Sequence, residues 1–232
     1  MSYVFEPEAV TSLAVAASPE QFAVRRVYCV GRNYAAHARE MGTDPDREPP
    51  FFFCKPANAV VPVVHGERAT IAYPSQTNNY HYEIELVVAI GKAGRAIPVE
   101  DALDYVWAYG VGLDMTRRDL QSQMKEHGRP WEIGKAFDQS APVSTLYPVS
   151  QTGHLTKAAI WLEVNGQQKQ HSNIDQMSWS VAETISQLSR YFELKPGDII
   201  MTGTPEGVGA VLPGDEIRGG ITGLDEIRVL VS

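Results

Sequence analysis

The run His81-Tyr82-Glu83-Ile84-Glu85-Leu86-Val87-Val88 constrains this chain more than any other feature of it. It has the β-branched and aromatic make-up of a strand, and side chains on a strand alternate between faces. Glu83 and Glu85 therefore share one face, which continues into Val87 and Ala89, while Tyr82, Ile84, Leu86 and Val88 share the other. Both faces read as mostly buried. Two carboxylates about 7 Å apart at the end of such a strand repel each other, and burial makes them costly unless they are protonated or neutralised. A hard divalent cation with oxygen ligands is the simplest neutraliser. The alternative is the solvent-facing end of an edge strand.

Around this run the chain alternates short strands with scattered helices. Strand patterns cover 25–30, 51–55, 59–64, 81–90, 106–113, 158–164, 167–171, 198–202, 216–218 and 225–231, with Asn165-Gly166 as a hairpin turn. Helical patterns cover 33–41, 99–105, 116–126 and 180–192. Strands dominate and do not alternate regularly with helices. The expected class is thus α+β, mostly β, a mixed sandwich or roll rather than a doubly wound parallel sheet. Residues 1–22 read as a loose lead-in, and 23–232 as a single domain. A long polar loop follows Gly42, and the region around 32–50 reads as a mobile lid.

Composition excludes several classes. Lys plus Arg number 20 against 28 Asp plus Glu, a formal charge of −8, which disfavours nucleic acid as the partner. No apolar run approaches the ~20 residues of a membrane helix, and the N-terminus does not read as a secretory signal. The two cysteines, Cys29 and Cys54, sit in apolar runs and read as core residues of a protein in a reducing, cytoplasmic setting. The glycine-rich piece 203–209 lacks the spacing of a phosphate-binding loop, and neither Gly-x-Ser-x-Gly nor His-Glu-x-x-His occurs.

Other residues offer chemistry, each with a plainer alternative. Asp114 closes the apolar strand 106–113 and opens a helix, so it reads as a helix cap or as a third carboxylate ligand. Arg118 and Gln121 lie three apart on the next helix, suited to an anionic, oxygen-rich substrate or simply to an exposed face. His37 and Glu40 are also three apart; a carboxylate beside an imidazole makes a general base, or a surface pair. Lys135, in Trp131-Glu132-Ile133-Gly134-Lys135, is suited to stabilising an oxyanion or to pairing with an acid such as Asp138. Thr202-Gly203-Thr204-Pro205 is a hydroxyl-rich turn.

Joined in order, these segments resemble the fumarylacetoacetate hydrolase family, from about Val27 to the C-terminus. The resemblance is carried by Gly31-Arg32-Asn33-Tyr34 with His37 and Glu40, by Lys55 in the run before Pro56, and by Glu83-Ile84-Glu85. It continues in Gly112-Leu113-Asp114 with Arg118 and Gln121, in Gly134-Lys135-Ala136-Phe137-Asp138, and in Thr202-Gly203-Thr204-Pro205. It implies a mixed β-sandwich or roll, a homodimer, and one Mg²⁺ or Mn²⁺ per chain held by Glu83, Glu85 and Asp114. It further implies His37 with Glu40 as the water-activating pair, Lys135 at the developing negative charge, and Arg118, Gln121 and Thr204 at the substrate. Larger members carry another aspartate ligand upstream of the histidine, where this chain has Cys29-Val30-Gly31-Arg32-Asn33 and no acid.

The implied activity is metal-dependent hydrolysis of a carbon–carbon bond in a 2,4-dioxo acid. Residues 114–121, together with Gly128-Arg129-Pro130-Trp131, resemble the branch that cleaves fumarylpyruvate to fumarate and pyruvate in gentisate breakdown. Arg32, Arg118 and Arg129 are the candidates for a distal carboxylate. The rivals are a broader acylpyruvate hydrolase, an oxaloacetate decarboxylase, an isomerase or decarboxylase of aromatic-breakdown intermediates, and, in another class, a non-catalytic metal-stabilised binding protein.

Overall fold

The structure, a computed structural model, describes residues 2–42 and 48–232. Its centre is a large mixed sheet whose strands run, edge to edge, Phe51–Lys55, Arg26–Gly31, Asp198–Met201, Ile84–Ile90, Val106–Leu113, Ala141–Ser144 and Val60–Val63, with Tyr147–Pro148 added on Val106–Leu113. Asp198–Met201 pairs parallel with Arg26–Gly31 and antiparallel with Ile84–Ile90, so the sheet is mixed, as expected. A five-stranded sheet packs against it, in the order Gln167–Asn173, Ala159–Val164, Glu216–Ile221, Ile227–Val231 and Ala69–Ile71. A three-stranded sheet, centred on Tyr80–Tyr82 between Thr116–Arg117 and Gly209–Val211, borders the end of the large one.

The alternation along residues 82–90 is realised. Tyr82, Ile84, Leu86, Val88 and Ile90 enter the main core between the two large sheets. Val87 and Ala89 enter a second core on the opposite face, with Val27, Cys29, Val143, Ile199 and Met201. Sequence patterning places the long strand over 81–90, but the structure breaks it at Glu83. Tyr80–Tyr82 serves the small sheet, and Ile84–Ile90 the large one.

The lead-in is less loose than its sequence suggests. Ser12–Ala14 and Gln21–Ala23 form a hairpin whose Leu13 and Phe22 close the second core, because that face of the large sheet would otherwise be wet. Cys29 is buried as expected, but Cys54 is exposed. Cys54 lies on the edge strand, so the apolar run 51–54 has only one side to bury. The expected lid is described only in part: residues 33–42 carry the helix Ala35–Glu40, and 43–47 lie outside the described residues.

Local chemistry explains the turns and caps. Asn165 and Gly166 both take positive φ, 51° and 75°, the two-residue hairpin geometry that Asn-Gly favours. Helix Val181–Tyr191 starts at a capping box, Ser180 with Glu183. No helix among the described residues is long and apolar enough to cross a membrane.

Candidate metal centre

Glu83, Glu85 and Asp114 converge at the end of the central strands, with one carboxylate oxygen from each lying within 4.8 Å of the others, and all three are buried. Glu83 sits at the break between two sheets, and Glu85 is the second residue of the strand Ile84–Ile90. Asp114 follows Val106–Leu113, with its N–H donated to the Glu83 carbonyl at 2.9 Å. Asp114 does not cap a helix. The next helix, Arg118–Glu126, begins at Arg117 with no side-chain cap, and the Asp114 carboxylate instead faces two lysines.

Three buried cations pair with two of the three carboxylates, Glu83 and Asp114. Lys135 Nζ donates to Glu83 Oε2 at 2.7 Å and to Asp114 Oδ2 at 2.8 Å, and its sequence neighbour Asp138 is not its partner. Lys55 Nζ lies 2.8 Å from Asp114 Oδ1, while its hydrogen bonds run to the carbonyls of Met115 and Lys135. That contact is an ion pair without hydrogen-bond alignment, and so Oδ1 keeps an unused acceptor. Arg118 pairs with the other oxygen of Glu83 and donates to Gln121 Oε1 at 2.5 Å. The helix face that carries Arg118 and Gln121 is therefore buried, not exposed.

These contacts set the electrostatics. Burial alone would raise the Glu83 carboxyl, but Lys135 and Arg118 outweigh it and hold it well below the usual carboxylate range. Glu85 has no such cation. Burial, then repulsion from Asp114 and Glu83, push it well up, against one hydrogen bond from Gly203 N–H at 2.7 Å. Burial would lower the Lys135 ammonium, but Asp114 and Glu83 hold it above its ordinary value. Burial and the neighbouring Arg118 lower His81 to about 4, so it stays neutral, accepting from Arg118 Nε at 3.3 Å. A compact, buried set of three carboxylates in mutual repulsion fits a hard divalent cation.

A cavity of about 370 Å³ opens over this cluster. Glu83, Glu85, Asp114, His37, Lys135, Arg32, Arg118, Gln121 and Thr204 all line it, so the expected site residues meet in one place. Glu40 stands behind His37, its Oε2 at 3.1 Å from Nδ1, and it also accepts from Gly207 N–H at 3.1 Å. His37 is 7% exposed, which sets it apart from an ordinary surface histidine, while Glu40 stays exposed.

The loop after Asp198–Met201 ties these parts together. Gly203 and Gly207 have φ of 97° and 91°, and a Cβ would overlap Asn33 at the first and the Lys169 carbonyl at the second. That close approach lets Gly203 N–H reach Glu85 while Gly207 N–H reaches Glu40.

Several participants were not legible from chemistry along the chain. Trp131, Phe51 and Phe53 form an aromatic wall at the mouth, with Trp131 edge-on to Phe51 at 5.1 Å between ring centroids. The Arg32 guanidinium lies 5.5 Å from the Phe51 ring centroid and makes no ion pair among the described residues. Gln170, fully buried, stands behind Thr204. Gln170 sits in the polar run Gln167-Gln168-Lys169-Gln170-His171, where nothing but burial distinguishes it.

Comparison with known proteins agrees with this geometry. The fumarylacetoacetate (FAA) hydrolase C-terminal family model matches residues 26–232. A fumarylpyruvate hydrolase from Ralstonia sp is 47% identical over 193 residues, 82% of this chain and 98% of that protein. The mitochondrial oxaloacetate tautomerase of Homo sapiens is 44% identical over 200 residues, 86% of this chain and 88% of that one. Among solved structures, fumarylpyruvate hydrolase from Pseudomonas aeruginosa, in complex with Mn²⁺ and pyruvate, superposes with a TM-score of 0.98 at 66% identity, covering 99% of both chains. With its mostly-β fold and buried carboxylate cluster, this chain belongs to the fumarylacetoacetate hydrolase family.

Proposed function

We propose that this chain is a divalent-metal-dependent hydrolase that cleaves fumarylpyruvate, with water, to fumarate and pyruvate. The observation that carries the reading is one cavity lined by both a buried carboxylate triad and the buried His37, which Glu40 backs from outside the cavity. The high similarity to fumarylpyruvate hydrolases supports the choice of substrate.

Glu83, Glu85 and Asp114 would hold Mg²⁺ or Mn²⁺, which when bound supplies Lewis-acid charge to the 2-oxo acid end of the substrate. Glu40 fixes the Nδ1 side of His37, which leaves Nε2 to take a proton from water. The resulting hydroxide attacks C4, the C3–C4 bond breaks, and C3 leaves as the pyruvate carbanion and is protonated. Lys135 spends two N–H groups on Glu83 and Asp114 and keeps a third for the oxygen that becomes negative at C4. Gln121 turns its carbonyl oxygen to Arg118, which frees its NH₂ for substrate.

The three candidate arginines now separate. Arg118 is committed to Glu83, Gln121 and His81, and Arg129 is exposed and does not line the cavity. Arg32, at the aromatic mouth and without an ion pair among the described residues, is suited to the distal carboxylate of the fumaryl group, with Phe51, Phe53 and Trp131 against its planar chain. The reading includes a cytoplasmic homodimer built on the single catalytic domain expected over 23–232, whose second core the 12–23 hairpin completes. Free cysteines support the compartment, and the exposed apolar Tyr3, Val4 and Phe5 offer surface for a second copy.

The test follows the ultraviolet absorbance of fumarylpyruvate with Mg²⁺ or Mn²⁺ and with chelator, beside acetylpyruvate and oxaloacetate. The expected result is fast metal-dependent loss of fumarylpyruvate with fumarate and pyruvate recovered. Turnover of oxaloacetate alone, with neither acylpyruvate cleaved, would overturn the hydrolase reading and leave the metal site standing.

A further inference from the structure

We propose that Gln170 is a positioning residue that aims the Thr204 hydroxyl proton into the cavity, and thereby sets how tightly the 2-oxo acid carboxylate is held. The inference rests on the reading above that Thr204 meets that carboxylate.

The direction of the Gln170 amide is fixed by partners that allow no choice. Its Oε1 accepts from the Ile84 N–H at 3.1 Å, and a backbone N–H can only donate. Its Nε2 donates to the Pro205 carbonyl at 2.8 Å, and a carbonyl can only accept. The amide cannot be flipped without facing donor to donor and acceptor to acceptor. Its remaining N–H therefore reaches Thr204 Oγ1 at 2.8 Å as a donor, and the hydroxyl is forced to accept it.

A hydroxyl has one proton to give. With Gln170 on one lone pair, the Thr204 proton has to find an acceptor elsewhere, and it donates to none among the described residues. Thr204 is 3% exposed and lines the cavity beside the carboxylate cluster, so a bound ligand oxygen is the acceptor that remains. The cost of burying Gln170 agrees with a fixed task. It is the one fully buried residue of the strand Gln167–Asn173 and sits among apolar core side chains, opposite Leu162. It also spans separate parts of the fold, pinning the 202–205 loop from the five-stranded sheet to the first residue of Ile84–Ile90, between Glu83 and Glu85.

The experiment measures pyruvate binding to the Mn²⁺-loaded protein by calorimetry, and KM and kcat for fumarylpyruvate, in Gln170→Met, Thr204→Val and the double variant. Met keeps the volume and removes the N–H that occupies the Thr204 lone pair, so nothing any longer turns the hydroxyl proton toward the cavity. One hydrogen bond to a charged acceptor corresponds to about 10- to 100-fold in affinity. Gln170→Met is expected to raise the pyruvate Kd and KM by about tenfold, with kcat changed less than about threefold and Mn²⁺ affinity held. In the Thr204→Val background it adds nothing further.

Unchanged pyruvate affinity in Gln170→Met while Thr204→Val weakens it, or multiplying effects in the double variant, overturns the proposal. A merely structural role predicts those results with a lowered Tm. If Thr204→Val itself leaves binding unchanged, the Thr204 contact is wrong and the role of Gln170 falls with it, while the metal-dependent hydrolysis is judged by its own assay. If Gln170→Met does not fold, Gln170→Glu replaces it. That variant still accepts from Ile84 but takes the Thr204 proton for itself, so wild-type pyruvate affinity in it overturns the proposal.

Discussion

Removing the ammonium of Lys55 separates the two things the buried cations do. Its side chain is fully buried, 2.8 Å from Asp114 Oδ1, and hydrogen-bonded to the carbonyls of Met115 and Lys135. At an effective dielectric of about 20, a pair at this distance attracts by roughly 6 kcal/mol. Desolvation offsets much of that, so the pair is not a net gain of this size. Truncation is asymmetric, however: Lys55→Met leaves Asp114 and two carbonyls buried with fewer partners, which costs about 3–5 kcal/mol. In a protein of this length about 1 kcal/mol moves Tm by ~2–4 °C, so the metal-free variant should melt about 6–20 °C below the parent. The cluster also becomes more negative by one charge, so divalent cations should stabilise the variant more than the parent. Thermal unfolding of both proteins in chelator and across a Mn²⁺ titration checks this. A variant melting within about 2 °C of the parent in chelator, or gaining less from Mn²⁺, would refute the charge-matching account of the cluster.

Other perturbations have equally direct readouts. Single-turnover cleavage by His37→Ala should fall by roughly 10²–10⁴ while calorimetry shows Mn²⁺ binding retained. Arg32→Leu should lower kcat/KM for fumarylpyruvate by about 10- to 100-fold but for acetylpyruvate, which has no distal carboxylate, by less than about threefold. Gly207→Ala drives a methyl into the Lys169 carbonyl at a positive φ, so chemical denaturation should show a loss of more than about 1 kcal/mol, with activity falling as Glu40 shifts. His81 is held neutral, with its pKa lowered to about 4 from 6.5, so the unfolded chain binds the extra proton between those values. Its contribution is present above pH 6.5, is lost as the pH falls toward 4, and His81→Gln should flatten the stability profile in that window, as read by urea unfolding.

What could be read along the chain was what local period and charge determine. Glu83 and Glu85 stand out because alternation in an apolar strand makes two acids conspicuous, and both core faces of that strand follow from the same rule. The helical pattern over 180–192 follows from apolar spacing, and the helix is found at Val181–Tyr191. The failures are non-local. The strand breaks at Glu83 because a different sheet claims Tyr80–Tyr82, and no pattern in residues 80–90 announces it. The hairpin 12–23 is ordered by a core surface made of distant strands. Lys55 reaches partners 60 and 80 residues away, so its part in the charge balance is invisible until the sheet is assembled. Cys54 looks in sequence like a core residue because position at the sheet edge is not written in composition.

The short connection from Met201 to Gly209 touches Glu85 through one backbone N–H and Glu40 through another. Main-chain amides persist under side-chain mutation, so the spacing between the acid cluster and the His37–Glu40 pair is insulated from drift in the residues of this loop, provided Gly203 and Gly207 keep their conformations. The mouth has no such insulation. Phe51 and Phe53 project from an outermost strand, Trp131 from a short helical turn, and Arg32 from a strand end. A lineage could exchange these side chains one at a time, changing which acyl groups are admitted while the machinery that cuts them stays in register.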